Sequence, residues 1–282
     1  WQGPSQARYP RQDLGVAGDP VVGFDREGNA YAAYISLDSE DYVIGPVVGS
    51  AMVSSISVAR SDDGAVTWNE AVSSARSEVH TMPMGTDEQG RPRGQLEFGF
   101  LDKPWMAIGS NQKGEQQDVV YIAYTKFVST YSLFWIDEMP FLGSPILETV
   151  IEVVHSDDGG ESWSVPVEVS PRAQYVIFAN AIVNPSTVEE GIENIRQVVQ
   201  GPSLAVAPDG TVYVAWVDTT NDGSFKGLAE IYVSRSEDAG DSFGNPVRAT
   251  GFMEPPFRPR TATFRYWATA FPRITTGLDG EV

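Results

Sequence analysis

Apolar and polar positions alternate with a period of two along most of this chain, and the alternation is broken at regular places by Asp, Gly, Asn and Pro. Such a pattern predicts short β-strands joined by tight turns. Three runs show how the pattern repeats: DPVVGFDREGNAYAAYIS from Asp19, DKPWMAIGSNQ with DVVYIAYTKF from Asp102, and GPSLAVAPDGTVYVAWVD from Gly201. In each, a proline opens a short apolar strand (A), a turn reverses the chain, and an aromatic-rich strand (B) follows. Helical spacing is nearly absent. One stretch, Ser186 to Val198, has a Ser start and apolar residues at Ile192 and Ile195, and predicts a short helix in a connection.

Downstream of each A–B pair comes a further strand (C), SSISVAR, TVIEVVH or AEIYVSR, and then an octet: SDDGAVTW (Ser61 to Trp68), SDDGGESW (Ser156 to Trp163) and SEDAGDSF (Ser236 to Phe243). The octets share the form Ser-x-Asp-x-Gly-x-(Ser/Thr)-aromatic, and a short strand (D) follows each one. Three copies in register make the octet a structural turn. Its Asp accepts backbone N–H groups, its Gly takes a positive φ and its aromatic folds inward. The structural set is Ser61, Asp63, Trp68, Ser156, Asp158, Gly160, Trp163, Ser236, Asp238, Gly240 and Phe243; Ala65 stands where the first octet would have its glycine.

Four antiparallel strands repeated along a chain define a β-propeller. The full units span 19–72, 102–169 and 200–248. FPRITTGLDGEV repeats an A-strand start over 271–282, and WQGPSQA, which opens the part-blade of residues 1–10, matches the segment that comes after an octet aromatic elsewhere. All 282 residues therefore read as one all-β propeller segment, an incomplete ring with part-blades at both ends, as though further blades lay outside the segment.

The octet resembles the Asp-box, or BNR repeat, of sialidase-like β-propellers, and the A–B lines resemble that superfamily's blade starts. The resemblance spans nearly the whole chain. It implies a propeller whose Asp-box turns lie away from the active face, and a secreted, cell-surface or periplasmic setting. For a hydrolase of this kind it implies an arginine cluster, an Asp acid/base and a Tyr activated by a Glu. The family's arginine precedes the strand-A proline by two residues, and the matching positions here hold Gly18, Asp102, Gln200 and Ala270; Arg273 follows Pro272 instead.

Strand parity places the A–B turns and octets at one end of the blades and the long segments at the other. Those segments are 37–54, 127–146 and 219–228 within units, and 73–102, 170–200 and 249–271 between units. Function is expected on that long-loop face. Asp19 and Asp102, at the starts of innermost strands, are the candidate catalytic or ligand-binding acids; a turn-capping role is the alternative. Glu97 and Asp137 are further loop carboxylates. Tyr131, Phe134, Trp135 and Phe141 in one loop, and Phe257, Arg258, Arg260, Arg265 and Trp267 in another, are the candidate binding residues, with Phe134, Trp135 and Phe141 expected to contact another chain. A secondary core beneath the loops is the competing reading of the first group.

Composition narrows the partners. Thirty-eight acidic residues against nineteen basic ones give a net charge of −19, which excludes nucleic acid. The absence of cysteine excludes disulfides and a thiol nucleophile. His80 and His155 lie far apart in sequence, and His155 reads as a packed residue. No apolar run is long enough for a membrane helix. No cofactor is expected; calcium at the octet acids or at Asp218 to Ser224 is the alternative. The combined expectation is a carbohydrate- or protein-binding module within a larger protein or assembly, with a sialidase-type exo-glycosidase as the alternative.

Overall fold

The computed structural model describes residues 16–112, 117–176, 198–222, 227–253 and 271–282, and among these every regular element is a strand. The first blade is β1 (Ala17–Phe24), β2 (Ala30–Ile44), β3 (Val47–Ser61) and β4 (Val72–Arg76), antiparallel in that order. The second sheet contains β5 (Val79–Thr86), β6 (Pro92–Gly109), β7 (Val119–Ile136), β8 (Met139–Leu142), β9 (Ile146–Ser156), β10 (Val167–Glu168) and β11 (Ala173–Val176). Its blade proper runs from β6 through β7 to β9, with β10 and β11 both pairing β9 as a divided outer strand. The third blade is β12 (Val199–Val206), β13 (Val212–Asp218), β14 (Leu228–Ser236) and β15 (Val247–Met253). Residues 271–282 run beside β12: Ile274 N–H donates to Ser203 Oγ (3.2 Å) and Thr276 Oγ1 to the Val206 carbonyl (2.9 Å).

The second blade is packed on both faces, so β7 is buried without a break from Val119 to Thr125. Ile122 and Tyr124 meet Tyr31, Ile35, Ile56 and Val58 of the first blade, while Tyr121 and Ala123 meet Leu204, Val214 and Trp216 of the third. Alternation thus sends neighbouring residues into two different cores. This is a fan of four-stranded blades whose innermost strands β1, β6 and β12 lie side by side, the arrangement of a β-propeller sector.

Two of the expected long loops are strands instead. Residues 37–54 continue β2 and β3 as one ladder from Ala30↔Ser61 to Ile44↔Val47, turned at Gly45 and Pro46. A Cβ at Gly45 (φ 56°) would lie 2.9 Å from Pro92, so the turn is built for glycine. Residues 127–136 likewise extend β7, which pairs the long β6 on one side and β8 on the other. Over 73–102 the connection is β4's end, then β5 paired antiparallel to β6. The extended strands enclose a second, smaller core of Ile44, Leu96 and Leu133 with Tyr42, Phe98, Tyr131 and Leu142 around it. Phe98 meets Tyr42 and Tyr131 edge-on at 5.5 and 5.3 Å. The acidic run Asp38 to Asp41 hid this hairpin in the sequence, because it reads as solvated loop. The candidate helix at 186–198 falls almost wholly outside the described residues.

Candidate functional site

The mouth of the channel forms where the three innermost strands begin. Each start carries a proline, which has no N–H for the ladder, and each ladder slips there: between Gly18 and Val21, Asp102 and Trp105, and Gln200 and Ser203. The residue before each proline is left-handed: Asp19 (φ 48°), Lys103 (φ 53°) and Gly201 (φ 66°). Glycine meets this demand in the third blade, where a Cβ would also run into the Phe271 ring. Asp19 and Lys103 adopt it as residues with side chains, a strained conformation of the kind that collects at ligand sites.

The bulges turn these side chains toward one open cavity of 450 Å³, bordered by Asp19, Lys103, Trp105, Gly201, Phe271 and Arg273. Asp102 lies beside it, near enough to Asp19 for the two carboxylate charges to interact. Burial pushes the Asp102 pKa above its ordinary value. The Lys103 charge and N–H pull it down, and the Asp19 charge pushes it further up. The cations of the site rest on its rings: Lys103 Nζ lies 5.2 Å from the Phe271 centroid and Arg273 Cζ 4.1 Å from that of Trp105. The structure therefore brings Asp19 and Asp102 together. Lys103, Trp105, Phe271 and Arg273 were not singled out from sequence as members of this site; their signal was adjacency to the strand-A prolines.

A Tyr–Glu pair exists, but elsewhere. Tyr124 Oη donates to Glu152 Oε2 (2.8 Å), and Lys126 Nζ lies 3.1 Å from Glu152 Oε1. These are cross-strand partners of β7 and β9, and Tyr124 belongs to the core between the first two blades. Burial, then the Glu152 charge and hydrogen bond, hold the phenol well above its ordinary pKa, the reverse of an activated nucleophile.

The aromatic segment after Val128 divides between two faces. Tyr131 and Leu133 enter the smaller core. Trp135 lies on their side of the strand; its Nε1 donates to the Pro92 carbonyl (2.8 Å) and Arg91 stacks on its ring at 5.5 Å. Phe134 and Phe141 face outward, stacked at 5.8 Å and 41% and 38% exposed. Consecutive strand residues point to opposite faces, so Phe134 and Trp135 do not share the partner surface expected of them. Glu97 sits mid-strand in β6 opposite His80 and Thr130, and Asp137 is at the β7–β8 turn (φ 52°). Phe257, Arg258, Arg260, Arg265 and Trp267 lie outside the described residues.

At the opposite end, the three octets share one hydrogen-bond pattern. Ser61, Ser156 and Ser236 each donate to the Asp two residues on (2.8, 2.7 and 2.7 Å) and accept the N–H of the residue four on (2.9, 2.8 and 2.8 Å). Asp63, Asp158 and Asp238 then accept the N–H of Thr67, Ser162 and Ser242 (2.8, 2.9 and 2.9 Å). The Thr67 hydroxyl and N–H, with Ser61, hold the Asp63 pKa at about 2. Burial pulls Asp158 upward, but its Ser162, Ser156 and Glu161 donors outweigh that and keep it low. Position four of each octet is left-handed as well as position five: Gly64, Gly159 and Ala239 precede Ala65, Gly160 and Gly240. In the loop after β13, Asp218 accepts Thr220 N–H (2.8 Å) and Asp222 accepts Gly227 N–H (3.1 Å). Among the described residues, no group of three or more His, Asp or Glu is placed to hold a metal ion, and no helix is long and apolar enough to cross a membrane.

The fold and mouth define a propeller sector with an acid-paired, ring-lined cavity at its loop-bearing end. No family model and no curated protein matches the chain. Solved sialidases are similar to it. A Hadza microbial sialidase is 17% identical with a TM-score of 0.41, over 82% of this chain and 38% of that one. A mutant NanB sialidase from Streptococcus pneumoniae is 9% identical with a TM-score of 0.27, over 87% and 54%. The intramolecular trans-sialidase from Ruminococcus gnavus, in complex with oseltamivir carboxylate, is 10% identical with a TM-score of 0.28, over 83% and 71%. The chain thus spans 38% of the length of the first of these and 54% of the second.

Proposed function

We propose that the chain is a carbohydrate-binding propeller module, in a secreted or cell-surface setting, that takes a sugar ring at the channel mouth. The observation that carries this is the shared cavity: Asp19 and the rings of Trp105 and Phe271 border 450 Å³, within the usual range for small-ligand sites, and Asp102 lies beside it. A sugar needs an apolar ring face and in-plane hydrogen-bond partners; the carboxylates can accept from its hydroxyls, and Lys103 and Arg273 can donate to them. Asp102 occupies a position where the resemblance implies arginine, so a carboxylate-bearing sugar is disfavoured there relative to a neutral one. The test is calorimetric titration with a panel of neutral and sialylated oligosaccharides. W105A is expected to weaken binding of a neutral ligand about tenfold, the loss of one aromatic contact. A protein that binds no glycan, or binds equally well as W105A, would overturn the reading.

The raised pKa of Asp102 favours a second reading, an exo-glycosidase in which Asp102 is the proton donor. Turnover of a chromogenic glycoside that disappears in D102N would support it. Glycan binding without turnover leaves the binding module standing alone.

A further inference from the structure

The innermost strand of the second blade has an outer neighbour over only part of its length: β5 pairs β6 from Thr86↔Pro92 to Val79↔Phe98 and no further. Beyond Phe98, N–H groups of β6 that point away from β7 need acceptors from elsewhere, because a buried N–H without one is costly. Two alternate residues show where the acceptors come from. Gly99 N–H donates to the Glu78 carbonyl (3.1 Å), and Leu101 N–H donates to the hydroxyl of Ser54 on the first blade (2.6 Å). The same hydroxyl donates to the Leu101 carbonyl (3.3 Å), so it grips both backbone groups of one residue. Ser54 is itself held. Its N–H donates to Ser77 Oγ (2.8 Å), and its carbonyl accepts both Ser77 N–H (2.8 Å) and Ser77 Oγ (3.1 Å). Ser54 and Leu101 are both buried.

The junction of the second and third blades repeats the device. Ser54 and Thr149 each stand seven residues before an octet serine, and Leu101 and Val199 each stand three before a strand-A proline. Thr149 Oγ1 accepts Val199 N–H (2.9 Å). Two residues on, Gly201 N–H donates to Thr125 Oγ1 (3.1 Å), and Thr125 is the ladder partner of Asp102. Buried hydroxyls of the preceding blade thus pin each inner strand just where it enters its bulge. In the second blade the residue that follows the pinned one is Asp102, and the ladder slips immediately after it.

We propose that Ser54 is a positioning residue of the mouth: by fixing the Leu101 backbone across the blade junction, it sets where the Asp102 carboxyl stands relative to Asp19 and Lys103. The inference rests on the reading of the mouth as a ligand site. Ser54 does not border the cavity, so it acts through Leu101. Loss of a buried serine costs stability whatever its role, and the adjacent Ser55 supplies the comparison. It too is fully buried, but its hydroxyl donates to the Ala75 carbonyl (2.9 Å), on the outer side of the blade.

The experiment titrates the aspartate carboxyls of the whole chain by carbon-13 NMR, with D102N identifying the Asp102 signal, and follows the Leu101 amide by hydrogen exchange; neither measurement needs a ligand. In S54A the Leu101 amide is expected to exchange about tenfold faster than in S55A. The Asp102 titration is expected to move toward the ordinary aspartate range as its carboxyl gains water, with Asp19 and Lys103 still the charges that act on it. S55A keeps the wild-type titration, and S54T, which carries a hydroxyl as Thr149 does, restores it. S54C is close to serine in shape and a weaker hydrogen-bonding group, so it moves the titration in the same direction as S54A and serves if the alanine variant does not fold. Neutral-glycan affinity, measured separately by calorimetry, is expected to fall about threefold to tenfold in S54A and to hold in S55A. An Asp102 titration that stays put in S54A and S54C, or that moves as far in S55A, overturns the proposal. A shift in a protein that binds no glycan leaves the positioning role standing and overturns the binding reading instead.

Discussion

The contact of an octet with the preceding blade makes a quantitative prediction about two glycines that share a backbone angle and differ in surroundings. Gly160 and Gly240 occupy the same octet position, both with φ 88°. A methyl added at Gly160 would meet the Tyr31 ring at 3.7 Å, whereas one at Gly240 would meet Tyr121 at 3.1 Å and His155 Nδ1 at 3.3 Å. Forcing alanine into the left-handed region costs about 1–2 kcal/mol at either site. Loss of backbone freedom in the unfolded chain offsets about 0.4–1 kcal/mol of that. G160A should therefore cost about 1 kcal/mol. G240A carries the same backbone cost plus overpacking against a fully buried tyrosine, a further ~1–3 kcal/mol. Urea denaturation of the two variants measures the difference, provided the m-values stay equal. H155A in the G240A background should recover part of the loss, since it empties one side of the clash. Equal costs for the two variants, or a larger one for G160A, would refute the claim that the blade contact adds to the backbone strain.

The mouth and the smaller core make two further predictions. Because the folded protein holds the Asp102 proton above the ordinary pKa, the native state binds more protons than the unfolded chain, and this group's contribution to stability falls as pH rises from about 4 through the folded pKa. D102N removes that loss, so its Tm relative to wild type should climb between pH 4 and pH 7; a difference that stays flat or falls over that range contradicts the assignment. Leu133 and Phe134 are adjacent on β7 but face opposite ways, so L133A should cost about 2–4 kcal/mol and speed hydrogen exchange in β5 to β8, while F134A should cost less than about 1 kcal/mol.

How much the sequence disclosed depended on how local each signal is. The octets were legible because their partners lie within four residues, and the A–B turns because Gly28, Gly210 and Gly280 each need a positive φ at the same offset. Asp19 and Asp102 were each legible as acids at strand-A starts through the repeat, but that the two meet was not, because they lie on different blades. The hairpin of β2 and β3 was not legible over 37–54, since its polar positions reflect one solvated face of a ladder whose apolar positions, Ile44 and Val47, pack on residues more than forty places away. Pairing of that range leaves no periodic mark beyond alternation, and four consecutive polar residues interrupt it. The contact of each octet with the preceding blade was missed for the same reason: Tyr31 and Gly160 are far apart in the chain, and nothing in SDDGGESW states which tyrosine it will meet.

The same geometry explains why the acids that first attract notice are not those in a position to bind. In the octets, Asp63, Asp158 and Asp238 have their oxygens committed to hydroxyl and amide donors of their own turn. Local donors stabilise the charged form, and an acid held ionised this way has little proton to give and few lone pairs to offer a ligand. At the mouth, Asp102 faces a second carboxyl across the gap between two blades, and no turn of its own surrounds it. Its proton affinity is set first by burial, which depends on how the blades meet, then by the Lys103 charge and by the Asp19 carboxylate on a different blade. A change in blade packing must therefore alter the mouth while leaving each octet intact. G240A and H155A perturb the contact between the second and third blades, which supply Trp105 and Gly201 to one cavity wall. Glycan affinity should fall in G240A alongside stability, with the octet hydrogen bonds still formed; affinity unchanged in a variant that has lost ~2 kcal/mol would show that the mouth is shaped within single blades.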